Sequence, residues 1–283
     1  MKINEKQVKS ILTKSPVHGG YTASPYAGCQ HECMYCYARY LPDWTGHEGE
    51  RWGEYVDVKY WKPFTEKQKE KFRGKSVFIS SATDPYQPLE SEYKRTRALL
   101  KELVGLDMDI LVVTKSALVL RDWELLKELN ATVALSINTL DENFKNDMDR
   151  GSSIKERITT LKMLHDKGVY TSCFISPIFP GITDAPAIIK EVSGKCDEVY
   201  LEHLVLQNPY KGSVLYYIRM RYPDLYPYYD RLFNKNILDE WWDYDNFMEE
   251  WCKDNGYSYS YEHFPKKHRK RPVVTNFRGH KGR

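Results

Sequence analysis

Between residues 76 and 206, short apolar runs alternate with amphipathic segments, and no other feature constrains the fold as tightly. Residues 76–80, 109–114, 132–137, 169–175 and 198–204 are short and apolar enough to be covered on both faces. Between them, residues 93–104, 121–129, 153–167 and 185–192 repeat apolar side chains at helical spacing. Gly105 and Gly168 stop two of these segments, and Ser153 opens one as an N-cap. A short first strand is expected within residues 21–26. Strands alternating with helices in this way build parallel βαβ units. A closed eight-stranded barrel takes roughly 250 residues of such units, and here they end near residue 206. The expected architecture is therefore α/β, an open sheet of about six units. Residues 207–283 follow as a helical, aromatic-rich extension, with Tyr216, Tyr229, Trp241 and Trp251 among its rings. At helical spacing such rings read first as core and second as a stacking surface.

Charge is unevenly placed along the chain. Residues 266–283 hold eight of the 42 Lys and Arg and none of the 39 acids, so the preceding 265 residues carry 34 bases against 39 acids. A mildly acidic body with a basic tail suits an anionic partner, or a tail that serves solubility. The N-terminus has no apolar signal region. No apolar run approaches the ~20 residues of a membrane span, so a cytoplasmic location is expected.

Cys29, Cys33 and Cys36 stand within eight residues, just after the first expected strand. Thiolates are soft ligands suited to iron–sulfur clusters. Three of them can hold three irons of a cubane and leave the fourth iron open for chemistry. With His31 between them the same cysteines could instead hold zinc, the metal of a non-enzymatic nucleic-acid-binding module. A disulfide is disfavoured in a chain without an export signal.

The spacing C-x3-C-x2-C followed by an aromatic resembles the signature of the radical S-adenosylmethionine (radical SAM) superfamily. The resemblance implies a partial (β/α)6 TIM-type barrel over residues 1–206, a [4Fe–4S] cluster on Cys29, Cys33 and Cys36, and S-adenosylmethionine at the open iron. Chemistry in parallel α/β folds collects at the carboxyl ends of the strands, which here carry polar groups. For S-adenosylmethionine, Asp84 would meet the ammonium, Lys115 the carboxylate, and Ser136 and Asn138 the ribose hydroxyls. The loop at 176–184 would form a slot for adenine, and Tyr37 falls where the superfamily places an aromatic beside that base.

The motifs Thr83-Asp84-Pro85-Tyr86-Gln87-Pro88, Thr114-Lys115-Ser116 and Pro177-Ile178-Phe179-Pro180-Gly181 narrow the resemblance. They are similar to the spore photoproduct lyase-related, DNA repair photolyase-like branch, and within it to radical SAM mobile pair protein B. That implies an enzyme in which a reduced cluster cleaves S-adenosylmethionine to a 5′-deoxyadenosyl radical that abstracts hydrogen from a substrate. With the basic tail and aromatic extension, nucleic acid is the leading substrate class, DNA and RNA being undivided. A peptide or a companion radical SAM protein is the alternative target, and flavodoxin or ferredoxin the type of electron donor expected. One departure stands out. The lyase uses a further cysteine as hydrogen donor after the cluster loop, and here no cysteine lies between Cys36 and Cys173. Cys173, inside an apolar strand, is the first of the remaining candidates, ahead of Cys196 and Cys252, and reads first as a packed thiol.

Overall fold

The computed structural model describes residues 1–15, 20–41, 45–237, 239–263 and 270–275. Trp44 and most of the basic tail lie outside them. The strands, in chain order, are β1 (Lys2–Gln7), β2 (Leu12–Lys14), β3 (Tyr21–Ala23), β4 (Tyr26–Ala27), β5 (Tyr55–Tyr60) and β6 (Ser76–Ile79). They continue as β7 (Asp109–Thr114), β8 (Thr132–Ser136), β9 (Tyr170–Ile178), β10 (Glu198–His203), β11 (Ser258–His263) and β12 (Lys270–Thr275). One sheet runs in the order β11-β12-β10-β9-β8-β7-β6-β3-β2. Its six central strands, β3, β6, β7, β8, β9 and β10, are parallel to their neighbours. They form the expected six-unit core, with helices Arg95–Leu103, Trp123–Glu128, Ile154–Asp166 and Ala185–Val192 as crossovers. Ser153 and Glu156 cap the third of these reciprocally, each side chain bonding the other's backbone N–H.

The alternation within each strand separates two faces. Val77, Ile79, Ile110, Val112, Val133, Leu135, Cys173, Ile175, Val199 and Leu201 are fully or almost fully buried and join one core cluster. Burial of each such aliphatic side chain is worth about 1.5–3 kcal/mol before the entropy of ordering is charged against it. Phe78, Leu111, Val113, Phe174 and Tyr200 alternate with them and are only half-buried. The two faces of the sheet are thus unequally covered.

Several elements were absent from the expectation, the helix Glu66–Phe72 and strand β2 among them. A small second sheet, β1-β5-β4, carries a parallel β1–β5 pair between residues 53 apart. A helix, Glu142–Met148, precedes the long crossover after β8. The C-terminal region is helical at Lys211–Arg221, Tyr226–Phe233 and Asp239–Asp254 as expected, but then forms the antiparallel hairpin β11–β12. That hairpin adds to β10 antiparallel, with Val199 opposite Val274 and Tyr200 opposite Val273. The core cluster is continuous from Ile11 to Val274, so residues after 206 pack on the barrel itself.

Candidate active site

The cysteine loop follows β3 and the short β4, close to the carboxyl ends of the parallel strands. Four sets of contacts hold it there. Gly28 has φ 92°, and a Cβ at this position would stand 2.2 Å from the Tyr55 carbonyl oxygen, so only glycine fits against β5. Gln87 is fully buried; its Oε1 accepts from Gln30 N at 3.0 Å and its Nε2 donates to Gly28 O at 3.2 Å. The helix Glu142–Met148 docks from the other side, with Met34 N donating to Met148 O and Arg150 N to His31 O. Within the loop, Arg39 donates to the carbonyls of Glu32 and Cys33.

The three cysteines are free thiols. Burial pushes the Cys29 thiol well above its usual range, with Asp84, Cys33 and Cys36 adding negative neighbours. Burial pushes Cys33 up to about 12 against the opposing Lys115 charge, and raises Cys36, where Lys115 also opposes it. Three crowded thiols in such surroundings become thiolates when a cation holds them. Tyr35 Oη, Ser80 Oγ, Thr83 Oγ1 and Asp149 Oδ2 are further buried polar atoms without a protein partner, on the loop and the rim beside it. The donor set and these orphaned atoms fit an iron–sulfur cluster with a polar co-ligand. Among the described residues, no three His, Cys, Asp or Glu side chains converge as the ligands of one ion would. A cluster spreads its thiolates over separate irons, so this arrangement suits it better than zinc.

Lys115 follows β7, and its Nζ lies 5.7 Å from the centroid of the Tyr35 ring. Tyr35 packs edge-on to Phe179 at 5.5 Å, and Phe179 in turn meets Phe144 at 5.1 Å. These rings wall the slot expected at 176–184. Ser136 Oγ donates to Ser176 O at 3.1 Å and Asn138 Nδ2 to Pro177 O at 3.2 Å. Each keeps an acceptor oxygen, the group a ribose hydroxyl requires.

Asp84 is committed elsewhere. Its Oδ1 accepts from Tyr86 N and Thr114 Oγ1, its Oδ2 from Lys115 N, and His31 Nδ1 lies 3.1 Å from Oδ2. Burial opposes its ionisation, but His31 and these donors outweigh it and hold the pKa down at about 2. Asp84 therefore positions Lys115 and the loop. His31 is engaged by the same contact through its Nδ1. Tyr37 is 48% exposed and its hydroxyl donates to Ser81 O, while Tyr35 is the loop aromatic that packs on Phe179. Cys173 has no exposure, and burial, with Cys196 as a neighbour, pushes its thiol well above the usual range; Cys196 Sγ in turn lies against Val192 O. The place of Cys173 in the core leaves it turned away from the half-buried face. The sequence reading also missed the fully buried Asp149–Arg157 ion pair, whose Arg157 donates to Ser136 O and Ser152 O.

The Radical SAM superfamily matches residues 23–191. The chain belongs to that superfamily. It is a radical SAM enzyme, and its cofactors are a [4Fe–4S] cluster and S-adenosylmethionine. It is 35% identical over 228 residues to an uncharacterized protein of Methanocaldococcus jannaschii, covering 78% of this chain and 85% of that one. It is 26% identical over 163 residues to the radical SAM Nα-GlyT isomerase of Pseudomonas phage M6, covering 56% of this chain and 33% of the relative. Spore photoproduct lyase, solved in complex with dinucleoside spore photoproduct, shares the fold. Its TM-score is 0.52 at 16% identity, over 97% of this chain and 74% of that one. A variant of that lyase has been solved with bound AdoMet. No helix among the described residues is long and apolar enough to cross a membrane.

Proposed function

We propose that this enzyme holds its cluster on Cys29, Cys33 and Cys36, holds S-adenosylmethionine across Lys115, Ser136 and Asn138, and acts on a nucleic acid. The observation that carries the reading is Lys115, whose charge is felt by both Cys33 and Cys36 while its ammonium stands over Tyr35. When bound, the two cofactors supply reductive cleavage of a sulfonium C–S bond and hence a carbon radical that abstracts hydrogen. The protein's part is to orient and to exclude water. Lys115 offers a point charge to a carboxylate. Ser136 and Asn138 offer acceptors to a ribose. Tyr35, Phe144 and Phe179 keep the slot apolar. Reduction calls for an electron donor of the flavodoxin or ferredoxin type.

A nucleic-acid substrate is supported by chemistry and by kinship. β12 runs antiparallel to β10, so its first residues, Lys270 and Arg271, belong to the end of the sheet where β10 finishes. The basic segment thus starts at the carboxyl rim. The fold neighbour solved with a dinucleoside photoproduct supports the same class. The test is anaerobic incubation with S-adenosylmethionine and dithionite. Brown protein that releases 5′-deoxyadenosine is expected, with more released when the nucleic acid is added, and Cys33→Ser should be colourless and silent. Colourless wild-type protein carrying stoichiometric zinc would overturn the reading.

A further inference from the structure

The aromatic residues of the C-terminal region fall into two groups. Tyr229 and Trp241 are buried, while Tyr216 is 67%, Trp242 69% and Phe247 50% exposed, as is the aliphatic Met220 at 61%. The exposed ones lie on helices of opposite charge. Residues 211–235 carry five Lys or Arg against two Asp, with six Tyr. The helix Asp239–Asp254, which bears Trp242 and Phe247, has seven acids and one Lys.

The basic pair of helices is anchored beside the active site. Val214, Leu215 and Ile218 bury one face of Lys211–Arg221. Tyr217 Oη donates to Asp147 Oδ2 at 2.7 Å, on the helix whose last carbonyl, Met148 O, accepts from the cysteine loop. Tyr229 Oη donates to Pro180 O at 3.0 Å, in the loop that follows β9. The opposite, solvent face presents Tyr216 and Met220 one turn apart. Beside them Arg219 lies 5.6 Å from the Tyr226 ring. Arg219 has no carboxylate partner among the described residues. Arg221 is 61% exposed at its side chain and lies 3.9 Å from Asp147.

We infer that this face is a platform for single-stranded nucleic acid. Bases stack on Tyr216 and on the Arg219–Tyr226 pair, and phosphates meet Arg219 and Arg221. Stacking on exposed rings needs unpaired bases, and interleaved cations track the backbone between them. The acidic helix next to it exposes equally large rings but repels phosphate, so charge selects one surface over the other. The inference rests on the nucleic-acid reading above and names the strand's path beside the barrel mouth.

Fluorescence anisotropy with a short labelled oligodeoxythymidine and with a duplex probe tests it. Tyr216→Ala should weaken single-strand binding about tenfold, as loss of one stacked base does, and Tyr216→Phe should keep it. Arg219→Gln should lower the slope of log affinity against log salt by about one. Trp242→Ala should change nothing, and none of these variants should alter 5′-deoxyadenosine release without nucleic acid. Unchanged affinity in both Tyr216→Ala and Arg219→Gln would overturn the platform, as would equally tight duplex binding or no binding by wild type. Failure of wild type to release 5′-deoxyadenosine would strike the cofactor assignment instead, since the binding assay does not depend on it.

Discussion

Lys115 is the residue on which the site turns. Its backbone N–H is fixed by Asp84 and its carbonyl accepts from Ser152 N at 3.0 Å, so both ends of the residue are held before any ligand arrives. A charge-assisted pair with a carboxylate is worth about 1.5–3 kcal/mol. Lys115→Ala should therefore weaken S-adenosylmethionine binding by roughly ten- to a hundredfold, while the protein keeps its brown colour. Anaerobic titration beside the visible absorbance of the cluster checks both halves. Loss of the cluster with unchanged affinity per cluster would assign Lys115 to the iron site instead. The polar strand ends are legible in the sequence, but their commitments are not. Asp84 and Lys115 both close apolar runs and look alike on paper. Only the fold turns one carboxylate inward, onto Thr114 and His31 thirty and fifty-three residues away.

Among the elements, the small sheet β1-β5-β4 is the least expected and supports the cysteine loop directly, since Gly28 abuts the Tyr55 carbonyl. Lys2–Gln7 reads KINEKQ and is mostly exposed, so no apolar period announces it as a strand. It becomes one because β5 offers a free edge. Within β5 the buried Asp57 meets Lys6 at 2.6 Å, His47 at 2.9 Å and Asn4 at 3.0 Å. Burial opposes its ionisation, yet these partners win and its pKa is lowered. The folded state thus gives up this proton more readily than the unfolded one. The stability it adds is complete above the ordinary carboxylate range, begins to fade as pH falls below about 4, and is lost as pH passes the lowered folded value. Wild type should melt above Asp57→Asn near neutral pH, and the gap should narrow on acidification. A gap that widens toward low pH would mean that the carboxylate is not ionised in this sheet. Thermal melts of both proteins from about pH 7 to about pH 3 measure it.

At the scale of the molecule, the C-terminal hairpin covers the outer edge of β10. The sequence reading treated residues 266–283 as a tail, yet Lys270–Thr275 is a strand of the main sheet. Truncation after Thr275 removes basic residues and leaves that strand in place; truncation before Ser258 uncovers β10. An exposed parallel-sheet edge of apolar residues invites association. The shorter protein should elute as aggregates and melt lower, while truncation after Thr275 should leave size and melting temperature close to those of the full chain. Size-exclusion chromatography with thermal melts separates the two outcomes. The distinction matters for any study of nucleic-acid affinity, because removing residues 266–283 would take away charge and a strand together.

What the sequence determined by itself was local. The period of the apolar runs carried the six parallel strands and their crossovers. The Cys29, Cys33, Cys36 spacing carried the soft-ligand loop, and both signals are complete within a few residues. Tertiary structure decided whatever depends on partners far along the chain. It packed Tyr35 on Phe179 and left Tyr37 half-exposed, and it set Cys173 in the core. It made Asp84 a brace, paired β1 with β5, and sorted the C-terminal rings into core and surface. Each of these is a choice between two directions for one side chain or edge. Such choices are made by neighbours that meet only when the chain has folded.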